Sequence, residues 1–343
     1  MTWDRRFLWS CVYGIPLILE QLQSEASRSG KNIDYNAKNS HGTSALYVSA
    51  RYGHTNTLQF LLDQGSSIDV SGGFFGNPLQ AAAFQGHEEV VRILMAKEAD
   101  PFAPGKFGNV VDAAMAGGNE QVIKFLLSSE KVTRSLDVEK LLLKASYDGH
   151  YEVVRQLLSL LNSSETDKTC QGTTNNQFHD TVQMALFQGR ARIARRMLKD
   201  IADINVKSGH FGNALQAAAF GGHAMMVTMV LEREADVNSR GRYGSALRAA
   251  ALRGHDTVIR LLIDKGANVE GENADALQAA AFNGRLSTVK LLLDSGLYDT
   301  HKYSNVISPA VEAACFRGYR EVAELFLQTY GSAAAYTGFL PLL

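Results

Sequence analysis

The chain has 343 residues, 34 Lys plus Arg against 35 Asp plus Glu, and a formal net charge of −1. Hydrophobic residues make up 45% and charged residues 20%, enough apolar material to exclude global disorder, while near-neutrality argues against general nucleic-acid binding, which rests on many phosphate contacts. The three cysteines, Cys11, Cys170 and Cys315, are too far apart for a disulfide framework or a zinc site and suit a reducing compartment.

At the N-terminus, Arg5 and Arg6 precede an apolar stretch from Phe7 to Leu19 that has the outline of a secretory leader. Gly14 and Pro16 interrupt it and no small-residue cleavage site follows, so the stretch is expected to fold as a first, degenerate unit. No apolar run reaches the roughly 18 residues that a membrane span needs.

From there one phrase recurs. It begins at Phe75 as FGNPLQAAAFQGHEEVVRILMAKEAD, with weaker copies near Gly42, GTSALYVSARYGHTNTLQFLLDQG, and near Phe107, FGNVVDAAMAGGNEQVIKFLL. Closer copies begin at Phe211, Tyr243 and Ala274. A marker glycine falls at Gly14, Gly53, Gly86, Gly118, Gly149, Gly189, Gly222, Gly254, Gly284 and Gly318, at spacings of 30 to 40 residues. A period of this size implies stacked units, each too small to bury its own faces, and not several compact domains.

Within each unit the residue types predict a short helix, a turn and a second helix. Ser44, Asn77, Asn213 and Ser245 stand where a side chain caps the first helix. The pairs Ala82–Ala83, Ala218–Ala219, Ala250–Ala251 and Ala280–Ala281 are small enough for helices to approach closely. The marker glycine suits a left-handed turn, and Val90, Val91, Ile93 and Leu94, or Val258, Ile259, Leu261 and Leu262, form the apolar stripe of the second helix.

These phrases resemble ankyrin repeats, whose unit is a β-turn finger plus two antiparallel helices. The first helix departs from the usual T-P-L-H, reading N-P-L-Q at Asn77–Gln80, N-A-L-Q at Asn213–Gln216 and S-A-L-R at Ser245–Arg248. This G-N-A-L-Q-A-A variant is similar to repeats of filamentous fungi. The resemblance implies an all-α repeat solenoid of about ten units in a single array: 1–38 as N-terminal cap, 39–71, 72–103, 104–134, 135–174, 175–207, 208–239, 240–269, 270–303 and 304–343. The last includes an apolar tail, 333–343, expected to fold back over the final repeat. A polar loop is expected within 162–177, where Ser164 and Thr166 could be phosphorylated, although a bland solvated loop is favoured.

Catalytic chemistry finds no support in the sequence. His54, His87, His150, His223 and His255 each follow a marker glycine and so read as structural groups bonding the inter-helix turn, not as ligands. His41, His179, His210 and His301 lack metal-ligand spacing. Gly72-Gly73-Phe74-Phe75-Gly76 sits where the repeat needs a tight turn, and Gly105-Lys106 lacks the Walker pattern. No G-x-S-x-G elbow occurs, and Cys170 has no positioned base. Asp100, Asp203 and Asp236 recur in the finger, where turn chemistry accounts for them. The expectation is a non-enzyme with no cofactor and no metal. Arg190, Arg192, Arg195, Arg196 and Lys199 cluster on one second helix, read as a solvated face, with docking to an acidic partner or weak nucleic-acid contact as the sharper alternative.

The resemblance places a partner protein in the groove formed by first helices and finger tips. By position, the residue two before the marker faces it: Arg51, Phe84, Ala116, Tyr147, Phe187, Phe220, Leu252, Phe282 and Phe316. With neighbours Tyr52, Arg253 and Arg317 and finger-tip residues Phe74, Lys106, His210 and Arg242, these make the candidate surface. Two readings of the aromatics stay open: packing on the finger rings Phe75, Phe107, Phe211 and Tyr243, or anchoring a partner. The implied function is a monomeric protein–protein interaction scaffold in cytoplasm or nucleus, with no membrane or direct nucleic-acid contact. The alternatives are a transcriptional coregulator that binds a transcription factor, for example for a fungal metabolite gene cluster, and the repeat region of a fungal immune-type receptor.

Overall fold

The computed structural model describes residues 3–30, 33–39, 42–163, 174–268, 275–295 and 304–330. His41, Ser164, Thr166, Cys170, His301 and the tail 333–343 lie outside the described residues, as does most of the 162–177 segment. The chain divides into two compact units, Met1–Val138 with Arg155–Leu161, and Glu139–Val154 with Asn162–Leu343.

All regular structure among the described residues is helical. The helices come in pairs: α1 (Trp3–Tyr13) with α2 (Pro16–Arg28), α3 (Ala45–Tyr52) with α4 (Thr55–Asp63), α5 (Pro78–Gln85) with α6 (Glu88–Ala96), and α7 (Val110–Ala116) with α8 (Glu120–Leu127). A single turn, α9 (Glu130–Thr133), then stands at the end of the fourth repeat. The pairs resume with α10 (Val138–Asp148) and α11 (Tyr151–Ser163), α12 (Thr174–Phe187) and α13 (Ala191–Leu198), and α14 (Ala214–Gly221) and α15 (Ala224–Leu231). They end with α16 (Ala246–Arg253) and α17 (Asp256–Asp264), α18 (Asp275–Phe282) and α19 (Leu286–Asp294), and α20 (Ser304–Phe316) and α21 (Arg320–Tyr330). Every marker glycine falls between the two helices of a pair.

Local chemistry explains the pairs. The side chains of Ser44, Asn77, Asn109, Asn213 and Ser245 each accept a hydrogen bond from the backbone N–H three residues on, capping their first helices. All ten markers have φ between 65° and 94°, the left-handed region that ends a helix. The stretch from Trp3 folds as α1 and α2, and α1 packs against α3. Part of the excess length between Gly14 and Gly53 is taken up by α2, which extends to Arg28.

Within each unit, first helices pack on first helices (α1, α3, α5 and α7 in one; α12, α14, α16, α18 and α20 in the other) and second helices on second helices. The first-helix layer is the closer one. Ala82, Ala83, Ala218, Ala219, Ala250, Ala251, Ala280 and Ala281 are all fully buried there, so backbones meet with only methyl groups between them.

The fingers are tight turns bound to the preceding first helix. Gly72 N–H donates to Gly76 O at 2.8 Å, and isolated antiparallel bridges join Ser208 to Gly212 and Gly241 to Gly244. A glutamine on the first helix reaches the next finger: Gln183, which holds in D-T-V-Q the place that Gln216 holds in N-A-L-Q, donates from Nε2 to Ser208 O at 2.6 Å and accepts at Oε1 from Phe211 N at 3.0 Å. Gln216 does the same for Gly244 O and Tyr243 N, and Gln80 Nε2 donates to Ala103 O and Gly108 O, both at 3.0 Å. In the second repeat Tyr47 takes the role, its hydroxyl accepting from Phe75 N at 3.1 Å. Because Gln183 and Phe211 are both buried, Gln183→Leu strands the Phe211 N–H away from water. The expected result is a loss of about 1–3 kcal/mol in denaturant unfolding, with the helical circular dichroism of the folded state unchanged.

At the finger bases, Asp100, Asp203 and Asp236 each accept from the backbone N–H two residues on, the turn role read from the sequence. A rail of bonds also joins successive fingers: Asn36 to Ser67, Asp69 to Asp100, Asn205 to Asp236 and Asn238 to Asn268, each side-chain oxygen accepting the next finger's N–H.

Candidate functional site

The histidines that follow the markers serve the stack. His54 Nε2 lies 2.7 Å from Val12 O, His87 Nε2 3.0 Å from Arg51 O, and His255 Nε2 3.1 Å from Phe220 O, each ring engaging the inter-helix turn of the preceding repeat. The ring lies on the preceding marker, and this fixes the residue there. A Cβ on Gly222 would stand 2.5 Å from the His255 ring, in addition to the cost of its φ of +79°. Among the described residues no three His, Cys, Asp or Glu side chains converge on a possible metal position. Burial pushes the Cys11 thiol up to about 12, which keeps it protonated, with hydrogen bonds from Ser49 and Ser10 opposing the shift.

His255 carries a pH dependence. Burial lowers its pKa from the ordinary 6.5; the positive charges of Arg253, Arg285 and His223 act the same way, and the bond to Phe220 O opposes them. The unfolded chain therefore takes up its proton first as pH falls. The stability from His255 is fully present above pH 6.5 and is lost progressively below it. We expect the denaturant midpoint of the wild type to fall from neutral pH to about pH 5 more steeply than that of His255→Gln.

The candidate surface residues fall into two groups. In the first unit, Phe84 is half-buried between the finger rings Phe75 at 4.7 Å and Phe107 at 5.2 Å. In the second unit Phe187 packs on Phe211 at 4.8 Å, and Phe220 stacks on Tyr243 at 4.6 Å with its ring planes 18° apart. These three rings pack between fingers and first helices. Leu252 is likewise half-buried.

The other group is open. Tyr52, Phe74, Tyr147, Phe282 and Phe316 are exposed, Phe316 to 84%. Cations sit beside rings at several of these positions: Lys106 Nζ is 3.2 Å above Phe74, Arg51 lies 5.5 Å from Tyr52 and 5.8 Å from Phe75, Arg253 covers Phe220 at 5.0 Å, and Arg317 covers Phe282 at 4.9 Å. Two arginines thus repeat one geometry, in which the residue before a marker lies over the phenylalanine of the preceding repeat. His210 stands edge-on to Phe211 at 5.1 Å, its backbone N–H donating to Asp180, and Arg242 donates to His210 O at 3.4 Å.

Sequence reasoning missed Tyr13, which is exposed, sits one residue before the first marker and meets Trp9 at 4.5 Å. The register that selected Tyr52 would have found it. The basic cluster on α13 is partly engaged: Arg190 Nε donates to Tyr147 O at 3.3 Å, Arg192 covers Tyr151 at 4.3 Å, and Arg196 pairs with Asp200 at 2.6 Å, while Arg195 and Lys199 are exposed.

The model of ankyrin repeats (3 copies) matches residues 8–104 and 215–304, more than half of the chain. The chain belongs to the ankyrin-repeat family. Ankyrin repeats are in general protein–protein interaction modules, typically non-catalytic ones. The part between the matched stretches holds α9 and the 40-residue spacing from Gly149 to Gly189. None of the curated proteins matches the chain. No helix among the described residues is long and apolar enough to cross a membrane.

Proposed function

We propose that this ankyrin-repeat chain is a non-catalytic scaffold that holds a partner protein on the face made by its first helices and finger tips. The register of its exposed aromatics carries the reading. Seven aromatic side chains are exposed among the described residues, and all but Trp9 stand one or two residues before a marker glycine or at a finger tip. Scattered exposed rings need no explanation, but six at positions set by the repeat, three in each unit and several beside Arg or Lys, give each unit the composition of a partner surface. Its setting is cytoplasm or nucleus, where free cysteines such as Cys11 and Cys315 stay reduced.

The test is affinity capture with the tagged chain, read by mass spectrometry, in parallel with Phe282→Glu/Phe316→Glu. Both rings are exposed, so the variant is expected to melt within a few degrees of the wild type and to lose the captured partner. A partner retained by that variant but lost with Arg192→Glu/Arg195→Glu would move the site to the outer face of α13 and overturn the reading.

A further inference from the structure

The second unit's surface has a charge pattern that specifies its partner further. Its finger tips and first helices at 207–222 and 240–254 carry five cationic residues, Lys207, Arg240, Arg242, Arg248 and Arg253, and no carboxylate, while Asp203 at the base of the first of these fingers accepts from the Asn205 N–H. The acids of the intervening stretch, Glu232, Glu234 and Asp236, follow the second helix α15, at its C-terminal end and the finger base. On the neighbouring α12, Asp180 is engaged by the His210 N–H. The following finger, which includes Glu270 and Glu272, lies outside the described residues.

We infer that the face formed by α14, α16 and their fingers binds an acidic peptide segment bearing an aromatic or aliphatic anchor. The inference rests on the scaffold reading above and names the chemistry of the partner. Arg253 is exposed while lying against Phe220 at 5.0 Å. One face of its guanidinium is held by the ring, and its N–H edge remains able to take a carboxylate in a two-point hydrogen bond. Because the ring fixes the guanidinium in advance, less side-chain freedom is lost on binding. Arg242, on the finger of the same repeat and bonded to His210 O, offers a second cation. Phe282 and Phe316, exposed further along the unit with Arg317 over the former, supply the apolar contact. A carboxylate near these rings pairs with the arginines, while a basic peptide would meet like charge with no acid on α14 or α16 to receive it.

The probe is a displayed library of random peptides of about 15 residues, panned against the full chain, with enriched sequences synthesised for affinity measurement. Enrichment of acidic sequences with an aromatic or leucine anchor is expected. Their affinity should fall at least about tenfold in Arg242→Glu/Arg253→Glu, fall with rising salt, and stay within about twofold in Arg192→Glu/Arg195→Glu. Arg242→Gln/Arg253→Gln replaces the reversal variant if that one fails to fold. Neutral or basic peptides that need Phe282 and Phe316 would overturn the acidic-partner inference and leave the scaffold reading standing. Acidic peptides indifferent to the arginine changes would overturn it too. A library with no enrichment would overturn both, and an oligothymidylate bound through Arg242 and Arg253 would assign the surface to nucleic acid instead.

Discussion

Ala218→Arg is expected to destabilise the second unit by on the order of 3 kcal/mol, lowering the melting temperature by roughly 5–10 °C. Ala218 lies on α14, fully buried in the layer where first helices pack against one another. An arginine there must push neighbouring backbones apart, and its guanidinium would be taken from water with no carboxylate on α14 or α16 to pair with. Since a repeat is stabilised mainly through its neighbours, both interfaces of α14 weaken at once, and the unfolding transition should broaden as well as shift. Thermal and urea unfolding followed by far-ultraviolet circular dichroism measure this. A variant that melts with the wild type would show that the first-helix layer tolerates expansion.

The second large effect separates two residues that the sequence treats alike. Phe220 and Phe282 both stand two before a marker glycine. Phe220 is half-buried against Tyr243, with Phe211 at 5.9 Å and Phe187 at 6.0 Å. Phe220→Glu loses that stacking and leaves a carboxylate among rings, at an expected cost of about 2–3 kcal/mol. Arg253 offsets this only by what a surface pair gives, about 0–1 kcal/mol. Phe282 is 41% exposed, so Phe282→Glu should change stability by no more than about 0.5 kcal/mol. Measured separately, the two variants assign each ring as scaffold or surface. Equal unfolding midpoints would mean that the finger stack contributes nothing.

The contrast explains why the candidate surface was only partly legible in sequence. Its register was plain, because every candidate is counted from a glycine whose φ is fixed by the turn it makes. Whether a phenylalanine in that register is clamped or open depends on the ring at the next finger. Phe84 meets Phe107, and Phe220 meets Tyr243, from residues about 23 positions further along the chain. The sequence contained both partners and raised their packing as one of two readings, but periodicity carries no distances with which to choose.

The histidines divide in the same way. Their position directly after the markers argued for a structural role over a ligand cluster, since it puts each in a separate repeat. That the rings of His54, His87, His223 and His255 lie on the preceding marker, and so leave no room for a Cβ there, was decided by the tertiary structure. The buried glutamines had a visible signal, the change from T-P-L-H to N-P-L-Q or N-A-L-Q, without a visible reason. The reason is that Gln183 and Gln216 provide both a donor and an acceptor to the backbone of the next finger.

The sequence by itself determined the helix pairs, their caps and turns, and the family of the fold, because these depend on residues within one period and recur along the chain. The tertiary structure alone decided that α9 stands at the end of the fourth repeat, which rings clamp fingers and which remain exposed, and that arginines settle on the rings of the preceding repeat. Those outcomes are set by contacts between repeats. There the balance between burying a ring and leaving it in solvent turns on the particular side chain that its neighbour presents.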